Sequence, residues 1–97
     1  MTVTVTGHAS CEKSARYVQQ LIKHWAHKFD AVYADGFGEV PFSQTTHATF
    51  EARENGIAIR LTSIDSDESE EMRSVIEDHL DRFAFREAPL DYKWNTV

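Results

Sequence analysis

Ninety-seven residues suffice for one domain with a single core, and a chain with 41% hydrophobic and 27% charged residues can fold without disulfides or metals. The formal net charge of −6, from 10 basic and 16 acidic residues, argues against nucleic acid as a partner because gripping phosphates requires basic surface. No apolar run is long enough to span a membrane, and the first residues do not resemble a leader, so we expect a cytoplasmic protein with no membrane partner. The single cysteine, Cys11, excludes an internal disulfide and a cysteine-based zinc cluster.

The first third of the chain predicts a strand, a helix and a second strand. Valine alternates with threonine in TVTVT (residues 2–6), the period-two pattern of a strand with one buried face. Apolar residues then recur at intervals of three and four, which predicts an amphipathic helix capped by Ser10 and ending near His27 or Lys28. The residues of this apolar stripe are Val18, Leu21, Ile22, Trp25 and Phe29. Residues 29–33 alternate again and predict a strand directly after the helix.

Asp-Gly at residues 35–36 predicts a tight hairpin between this strand and the next one. Two-residue hairpin turns need residues that tolerate positive φ, and Asp-Gly is one of the pairs that do so. Pairing outward from the turn sets Tyr33 opposite Gly38 and Phe29 opposite Phe42. This register places the apolar side chains on one shared face.

Asn-Gly at residues 55–56 predicts a second hairpin, which begins with the alternating segment HATFEAR. Pairing outward from this turn sets Phe50 opposite Leu61 on the inner face. The same register sets Glu51 opposite Arg60 as an ion pair on the outer face.

The last third of the chain predicts a second helix and a final strand. Asp67 and Glu70 occupy positions typical of a capping box, and we expect the helix that they start to run to about Phe85. Its apolar stripe consists of Met72, Val75, Ile76, Leu80 and Phe83. The Ala-Pro pair at residues 88–89 ends this segment, and the alternation in residues 90–94 predicts a strand.

These elements follow the order β-α-β-β-β-β-α-β along one domain that spans residues 1–97. Strands with one polar face are typical of antiparallel sheets that have a core on one side and water on the other. The sequence therefore predicts an α+β fold of two layers, in which an antiparallel sheet carries both helices on one face.

The second helix supplies the most informative candidate for a functional site. His79 falls inside the apolar stripe, where a titratable ring is costly unless it finds a partner. It is either a core histidine bonded to a backbone carbonyl or, together with His24, Arg82 and Arg86, part of a cleft that binds a carboxylate or another small anion. The two arginines have alternative partners among the neighbouring acids, which are Asp78, Asp81 and Glu87.

His24, His27 and His79 are weaker candidates for a metal site. Histidines three positions apart can share a metal, but a strong site needs a third ligand, and no zinc-protease or di-iron spacing occurs. A helical wheel places His27 opposite the apolar face, towards solvent. The chain has no fingerprint for a nucleotide or another cofactor and no nucleophile motif, so the sequence indicates neither a cofactor nor catalytic residues.

Two further residues are candidates for simpler roles. Cys11 is expected in the first turn of the first helix, as an incidental surface or capping residue. Trp94 lies on the last strand, where it is suited to an edge or an interface. A homodimer or another protein partner that uses this strand or an open sheet edge is therefore one hypothesis.

Three segments resemble a known family of small bacterial proteins. They are ARYVQQLIKHWAHKF (15–29), DGFGEVPF (35–42) and DHLDRFAFRE (78–87), and in this order they resemble domain-of-unknown-function family 2218. The resemblance implies no catalytic residues, because that family has no established activity. Its members are often described beside genes for siderophore-linked iron uptake, which suggests a role near iron handling. The fold order is also similar to a TATA-binding-protein-like fold with an added strand, an analogy that implies nothing about DNA binding.

Three functions are consistent with this sequence. The first is a small cytoplasmic binding or accessory protein, linked to iron or siderophore metabolism, that holds an anion with His24, His79, Arg82 and Arg86. The second is a metal-binding protein or metal-dependent enzyme that uses the three histidines. The third is a homo-oligomeric or protein-interaction module.

Overall fold

The computed structural model describes residues 2–96, which form six strands and two helices in the predicted order. The strands are β1 (Val3–Ser10), β2 (Val32–Ala34), β3 (Phe37–Pro41), β4 (His47–Arg53), β5 (Gly56–Ser63) and β6 (Asp91–Thr96), and the helices are α1 (Ser14–Trp25) and α2 (Ser66–Phe83). All neighbouring strands pair antiparallel, in the spatial order β2-β3-β4-β5-β1-β6. The predicted α+β architecture is confirmed.

The core lies between the sheet and the two helices. Alternate residues of β4 and β5 point towards the helices, and Phe50 and Leu61 are completely buried there. From the helical layer, Val18, Leu21 and Leu80 are completely buried against them. The alternate buried residues of the strands and the apolar stripes of the helices therefore pack together in one hydrophobic cluster.

The first hairpin has the predicted turn and register. Asp35 and Gly36 have φ values of 51° and 81°, as both central residues of a type I′ turn must, and Tyr33 pairs with Gly38. The strand is shorter than predicted, because Phe29 lies outside β2 and its amide donates to the Trp25 carbonyl oxygen at 2.8 Å. The chain thus continues in helical turns after α1 before it enters the sheet.

The second hairpin has the predicted strands but a different register. Its turn residues are 54–55, and Phe50 pairs with Ile59 rather than with Leu61. The shift is two positions, so every side chain stays on its predicted face. The predicted pair of Glu51 and Arg60 is therefore wrong, and Glu51 instead accepts from the Arg53 guanidinium at 2.9 Å.

The cause of this register lies in the neighbouring strand β1. Gly56 pairs with Ser10, and a Cβ atom at Gly56 would overlap the Ala9 carbonyl oxygen and approach the His8 ring to 2.7 Å. The glycine is thus needed for the close approach of β1 and β5, and it belongs to the strand rather than to the turn.

Both helices begin at positions that differ from the predicted ones. Strand β1 continues to Ser10, because this segment pairs with both β5 and β6, and α1 begins only at Ser14. Helix α2 is capped by Asp65, whose Oδ1 accepts from the Glu68 amide at 2.8 Å, so the predicted cap at Asp67 was two residues late. The predicted end at Phe85 was also two residues late. No helix within residues 2–96 is long and apolar enough to cross a bilayer.

Candidate functional site

The two histidine-bearing helices meet and bring His24 and His79 together. The ring centroids of His24, from α1, and His79, from α2, lie 5.2 Å apart. The His79 ring also packs beside Trp25 at 5.1 Å, and the His24 ring contacts Phe83 at 5.8 Å. Two segments that are more than fifty residues apart in the chain thus form one aromatic cluster.

This cluster borders a cavity of about 440 Å³, which we call the histidine pocket. The residues that line it are His24, Trp25, His27, Lys28, Phe29, Phe42, Met72, Val75 and His79. Its apolar members are buried or half-buried, whereas His24, His27 and Lys28 are exposed at its rim. Phe42 holds the aromatic wall together, with edge-to-face contacts to Trp25 at 4.9 Å and to Phe29 at 5.1 Å.

His79 has one ring nitrogen bonded and the other available. Its Nδ1 lies 2.8 Å from the Val75 carbonyl oxygen, and because a carbonyl can only accept, Nδ1 carries the hydrogen. Nε2 has no hydrogen-bond partner within the described residues. The predicted bond to a backbone carbonyl is present, and the same ring also lines the pocket.

Lys28 adds an unpaired cation to the rim. No acidic oxygen lies within 4.0 Å of its ammonium group in the part of the chain that the structure describes, where the ion pairs are Arg53–Glu51 and Arg73–Glu70. The ammonium lies 5.8 Å from the centre of the Phe29 ring. A ligand in the histidine pocket would thus meet a positive charge beside an apolar floor.

The histidines do not gather a metal-ligand set. Across residues 2–96 no group of three or more histidine, cysteine or acidic side chains is arranged to hold a metal ion. His27 follows the end of α1 and is exposed, as the helical wheel predicts. The third ligand that the metal hypothesis requires is therefore missing from this geometry.

Arg82 and Arg86 lie away from the histidine pocket. Arg82 is exposed and lines no cavity with His79, whereas Arg86 follows the end of α2 and borders a separate cavity. The four predicted ligand-binding residues therefore do not share one cleft. The helical wheel placed Arg86 near His79 only because it assumed a helix that extends beyond Phe83.

The cavity at Arg86, which we call the basic pocket, has a volume of about 450 Å³. The residues that line it are Lys13, Arg16, Tyr17, Gln20, Phe83, Phe85 and Arg86. Sequence reasoning missed Lys13 and Arg16 as site residues. A signal for a basic site was present in the sequence, because basic residues cluster in the first helical segment. The first turn of α1 contains no acidic residue that would neutralise them.

Glu87 ties one wall of the basic pocket to the start of α1. Its two carboxylate oxygens accept from the Tyr17 hydroxyl at 2.6 Å and from the Glu12 amide at 2.8 Å. The hydrogen bond to Glu87, together with burial, raises the pKa of Tyr17 to about 12. The same bond, with those from the backbone, lowers the pKa of the Glu87 carboxyl group.

Two of the three acids that were alternative partners for the arginines, Asp81 and Glu87, have other partners. Asp81 Oδ1 accepts from the Tyr92 hydroxyl at 2.8 Å and from the Leu90 amide at 3.1 Å, which docks the segment before β6 on α2. Burial and the bond to Asp81 raise the pKa of Tyr92. Neither Arg82 nor Arg86 forms an ion pair within 4.0 Å in residues 2–96.

Cys11 differs from its predicted surroundings, whereas Trp94 lies on an edge strand as predicted. Cys11 lies between β1 and α1 rather than in the helix, and its thiol is buried, so the predicted surface position was wrong. Burial, with a smaller effect of the Glu87 charge, raises the pKa of this thiol to about 11. Trp94 lies on the edge strand β6, but its indole covers Gly7 and its Nε1 donates to Glu77 at 2.7 Å.

Comparison with known proteins yields a family match and a similar solved structure. Residues 6–95 match a family described as an uncharacterized protein conserved in bacteria. Among solved structures, the chain is similar to the NMR structure of PA4090 from Pseudomonas aeruginosa, with 32% identity and a TM-score of 0.80 over 96% of this chain and 95% of that one. No curated protein matches the chain significantly.

Proposed function

The chain belongs to the bacterial domain-of-unknown-function family 2218, and from its site we propose that it is a small binding protein whose histidine pocket holds an organic anion with an aromatic or aliphatic body. The convergence of His24 and His79 on an apolar cavity carries this proposal. A volume of about 440 Å³ lies within the usual range of roughly 300–1,000 Å³ for small-molecule sites.

The lining of the pocket supports a ligand with two different ends. Trp25, Phe42 and Met72 offer apolar surface, and burying a ligand against them would contribute about 25 cal/mol per Å² of apolar area. At the rim, Lys28 offers an unpaired ammonium, and Nε2 of His79 offers a free ring nitrogen. The carboxylate at one end of the ligand would meet the Lys28 ammonium, and a hydroxyl group beside it would donate to Nε2 of His79, which is the acceptor nitrogen of this ring. The apolar body of the ligand would fill the cavity.

Binding is a better fit than catalysis for the groups that the pocket contains. The chain's one thiol, Cys11, does not line it, and burial disfavours the thiolate because it raises the pKa to about 11. His79 has no acidic partner that would orient it as a general base, since its Nδ1 bonds to the Val75 carbonyl oxygen. We therefore propose an accessory protein that carries or senses its ligand.

The ligand that we propose belongs to iron-chelator chemistry. The role near iron handling that the family resemblance suggests would call for aromatic hydroxy acids, whose flat ring and single carboxylate match the two ends of the pocket. Salicylate and 2,3-dihydroxybenzoate are therefore the first probes, and benzyl alcohol, which lacks the charge, is the comparison compound.

Tryptophan fluorescence provides the test. Trp25 lines the pocket and Trp94 does not, so Trp94→Phe leaves a single reporter at the site. We expect either aromatic acid to change this emission with a saturable curve, and His79→Gln to weaken binding roughly tenfold. His47→Gln is the matched control, because His47 is exposed on the outer face of β4. No saturable change with either acid, or equal affinity in the His79 variant, would refute the proposal.

A further inference from the structure

We propose that the basic pocket is a second ligand site, which binds a phosphorylated small molecule that carries a planar ring. This site has different residues from the histidine pocket and its own ligand chemistry, so it does not depend on the function proposed above. Phe83, which lines the basic pocket, contacts His24, which lines the histidine pocket, at a ring distance of 5.8 Å.

Three cations converge on this cavity, and Lys13 is the one among them on which the charge of Glu87 acts. Lys13 and Arg16 come from the start of α1, and Arg86 comes from the turn after α2. None of them has an acidic oxygen within 4.0 Å in the described chain. A cluster of cations without ion pairs is unexpected in a chain with sixteen acidic residues and a net charge of −6, because acidic side chains are available to neutralise the cations.

The Glu87 carboxylate holds one wall of the basic pocket through two hydrogen bonds. Both oxygens of Glu87 accept hydrogen bonds, one from Tyr17 and one from the Glu12 amide. These bonds fix the segment that carries Arg86 against the helix that carries Arg16. Internal structure therefore sets the spacing of the cations. Glu87 offsets part of the charge of Lys13, whereas Arg16 and Arg86 have no acidic oxygen within 4.0 Å in residues 2–96.

The charge of the pocket favours a phosphate over a carboxylate. A phosphate monoester carries about −1.5 to −2 charges at neutral pH and presents three acceptor oxygens, which matches three cations better than a single carboxylate charge would. Two of the cations are arginines, whose planar forks can each bind two phosphate oxygens.

The aromatic wall favours a planar ring beside the phosphate. Phe85 has 71% of its surface exposed, and the Arg86 guanidinium lies 5.7 Å from the centre of its ring. Phe83 and Tyr17 supply further ring surface in the same cavity. A flat heterocycle would cover the exposed Phe85 ring, which the fold itself leaves in water.

AMP, adenosine and inorganic phosphate are suitable probes for the full-length chain. In a titration followed by amide NMR, we expect AMP to shift the signals of Arg16, Gln20 and Arg86, with weaker effects from phosphate and the weakest from adenosine. Raising the salt concentration from about 50 to 200 mM should weaken AMP binding, because the contacts are ionic.

Variants of three arginines distinguish binding of AMP at a defined site from nonspecific electrostatic attraction of AMP to the protein. Arg16→Ala and Arg86→Ala should each weaken AMP binding about tenfold or more, and Arg86→Lys should restore part of the affinity. Arg82→Ala is the matched control, because Arg82 is exposed and lines neither cavity. Unchanged affinity in the Arg16 and Arg86 variants would overturn the proposal, as would an equal loss with Arg82→Ala or tighter binding of citrate than of AMP. Folding of each variant is checked by its amide spectrum.

Discussion

Adding one methyl group at Gly38 tests how closely α1 packs on strand β3 of the sheet. A Cβ atom there would lie 2.6 Å from Cδ1 of Ile22, would overlap Cγ1 of the same residue, and would lie 3.5 Å from Cγ1 of Val18. Ile22 is only 2% exposed, so its side chain is enclosed by protein and can shift only against packed neighbours. Overpacking of this kind costs about 1–3 kcal/mol, and each kcal/mol lowers Tm by roughly 4–8 °C in a domain of this size.

A double-mutant cycle shows whether Ile22 is the cause. Ile22→Ala alone should cost about 2–5 kcal/mol, because it leaves a cavity. With the isoleucine removed, the new methyl group has room, so Gly38→Ala with Ile22→Ala should be about 1–3 kcal/mol more stable than the sum of the single changes predicts.

Urea unfolding measures these free energies. Glu39→Ala, at the exposed neighbouring position of β3, should stay within about 0.5 kcal/mol of wild type. Wild-type stability of Gly38→Ala, or additive effects in the double variant, would refute the packing argument. We also expect Gly38→Ala to weaken salicylate binding, because α1 carries both His24 and Trp25 to the pocket.

Three further predictions concern the elements that hold the two pockets in place. Asp65→Ala removes the acceptor for the Glu68 amide and should cost about 0.5–2 kcal/mol in urea unfolding, whereas an unchanged midpoint would show that this cap does not stabilise α2. The raised pKa of Tyr17 favours its protonated form in the fold, so its contribution to stability is present below pH 10 and is lost as the pH rises towards about 12. The difference in unfolding free energy between wild type and Tyr17→Phe should accordingly shrink between pH 9 and pH 12, and a constant difference would contradict the role of the Glu87 bond. Cys11 should react slowly with a disulfide reagent in the native state at pH 8 and rapidly in urea, because burial raises its pKa to about 11; equal rates would show that the thiol is accessible.

The faces of the strands were predictable because they depend only on alternation. In the second hairpin the register was displaced by two positions, yet Phe50 remained inside and Thr49 remained outside. Alternation cannot distinguish registers that differ by two, and the Asn-Gly signal favoured the wrong one. The deciding contact is the close approach of Gly56 to Ala9, which involves a strand nearly fifty residues earlier in the chain.

Helix starts were less predictable, because several polar residues compete for each cap. Ser10 could cap α1 only if β1 ended early, but pairing with strands on both sides keeps this residue in the sheet. At α2 the choice between Asp65 and Asp67 depends on Glu68, which also accepts from the Ile64 amide at 3.1 Å. Contacts formed in the folded state, rather than local preference, select the cap.

The histidine half of the site could be predicted and the arginine half could not. His24 and His79 lie on regular helices, where a wheel gives reliable directions, although only the structure reveals that these helices meet. Arg86 lies beyond the end of α2, where the wheel no longer applies. Lys13 and Arg16 join it because Glu87 ties the two segments together through Tyr17, a contact across 70 positions of sequence.

The most direct test of the proposed function is to locate a bound aromatic acid by NMR. Nuclear Overhauser effects between the ring protons of 2,3-dihydroxybenzoate and the methyl groups of Met72 and Val75 would place the ligand inside the histidine pocket, because both side chains line that cavity alone. We predict these effects in wild type and in His47→Gln, and His79→Gln should need a roughly tenfold higher ligand concentration to give them. Nuclear Overhauser effects from the ligand ring to Phe85, which lines the basic pocket, would contradict the proposed function. The absence of any intermolecular effect at saturating ligand would also contradict it.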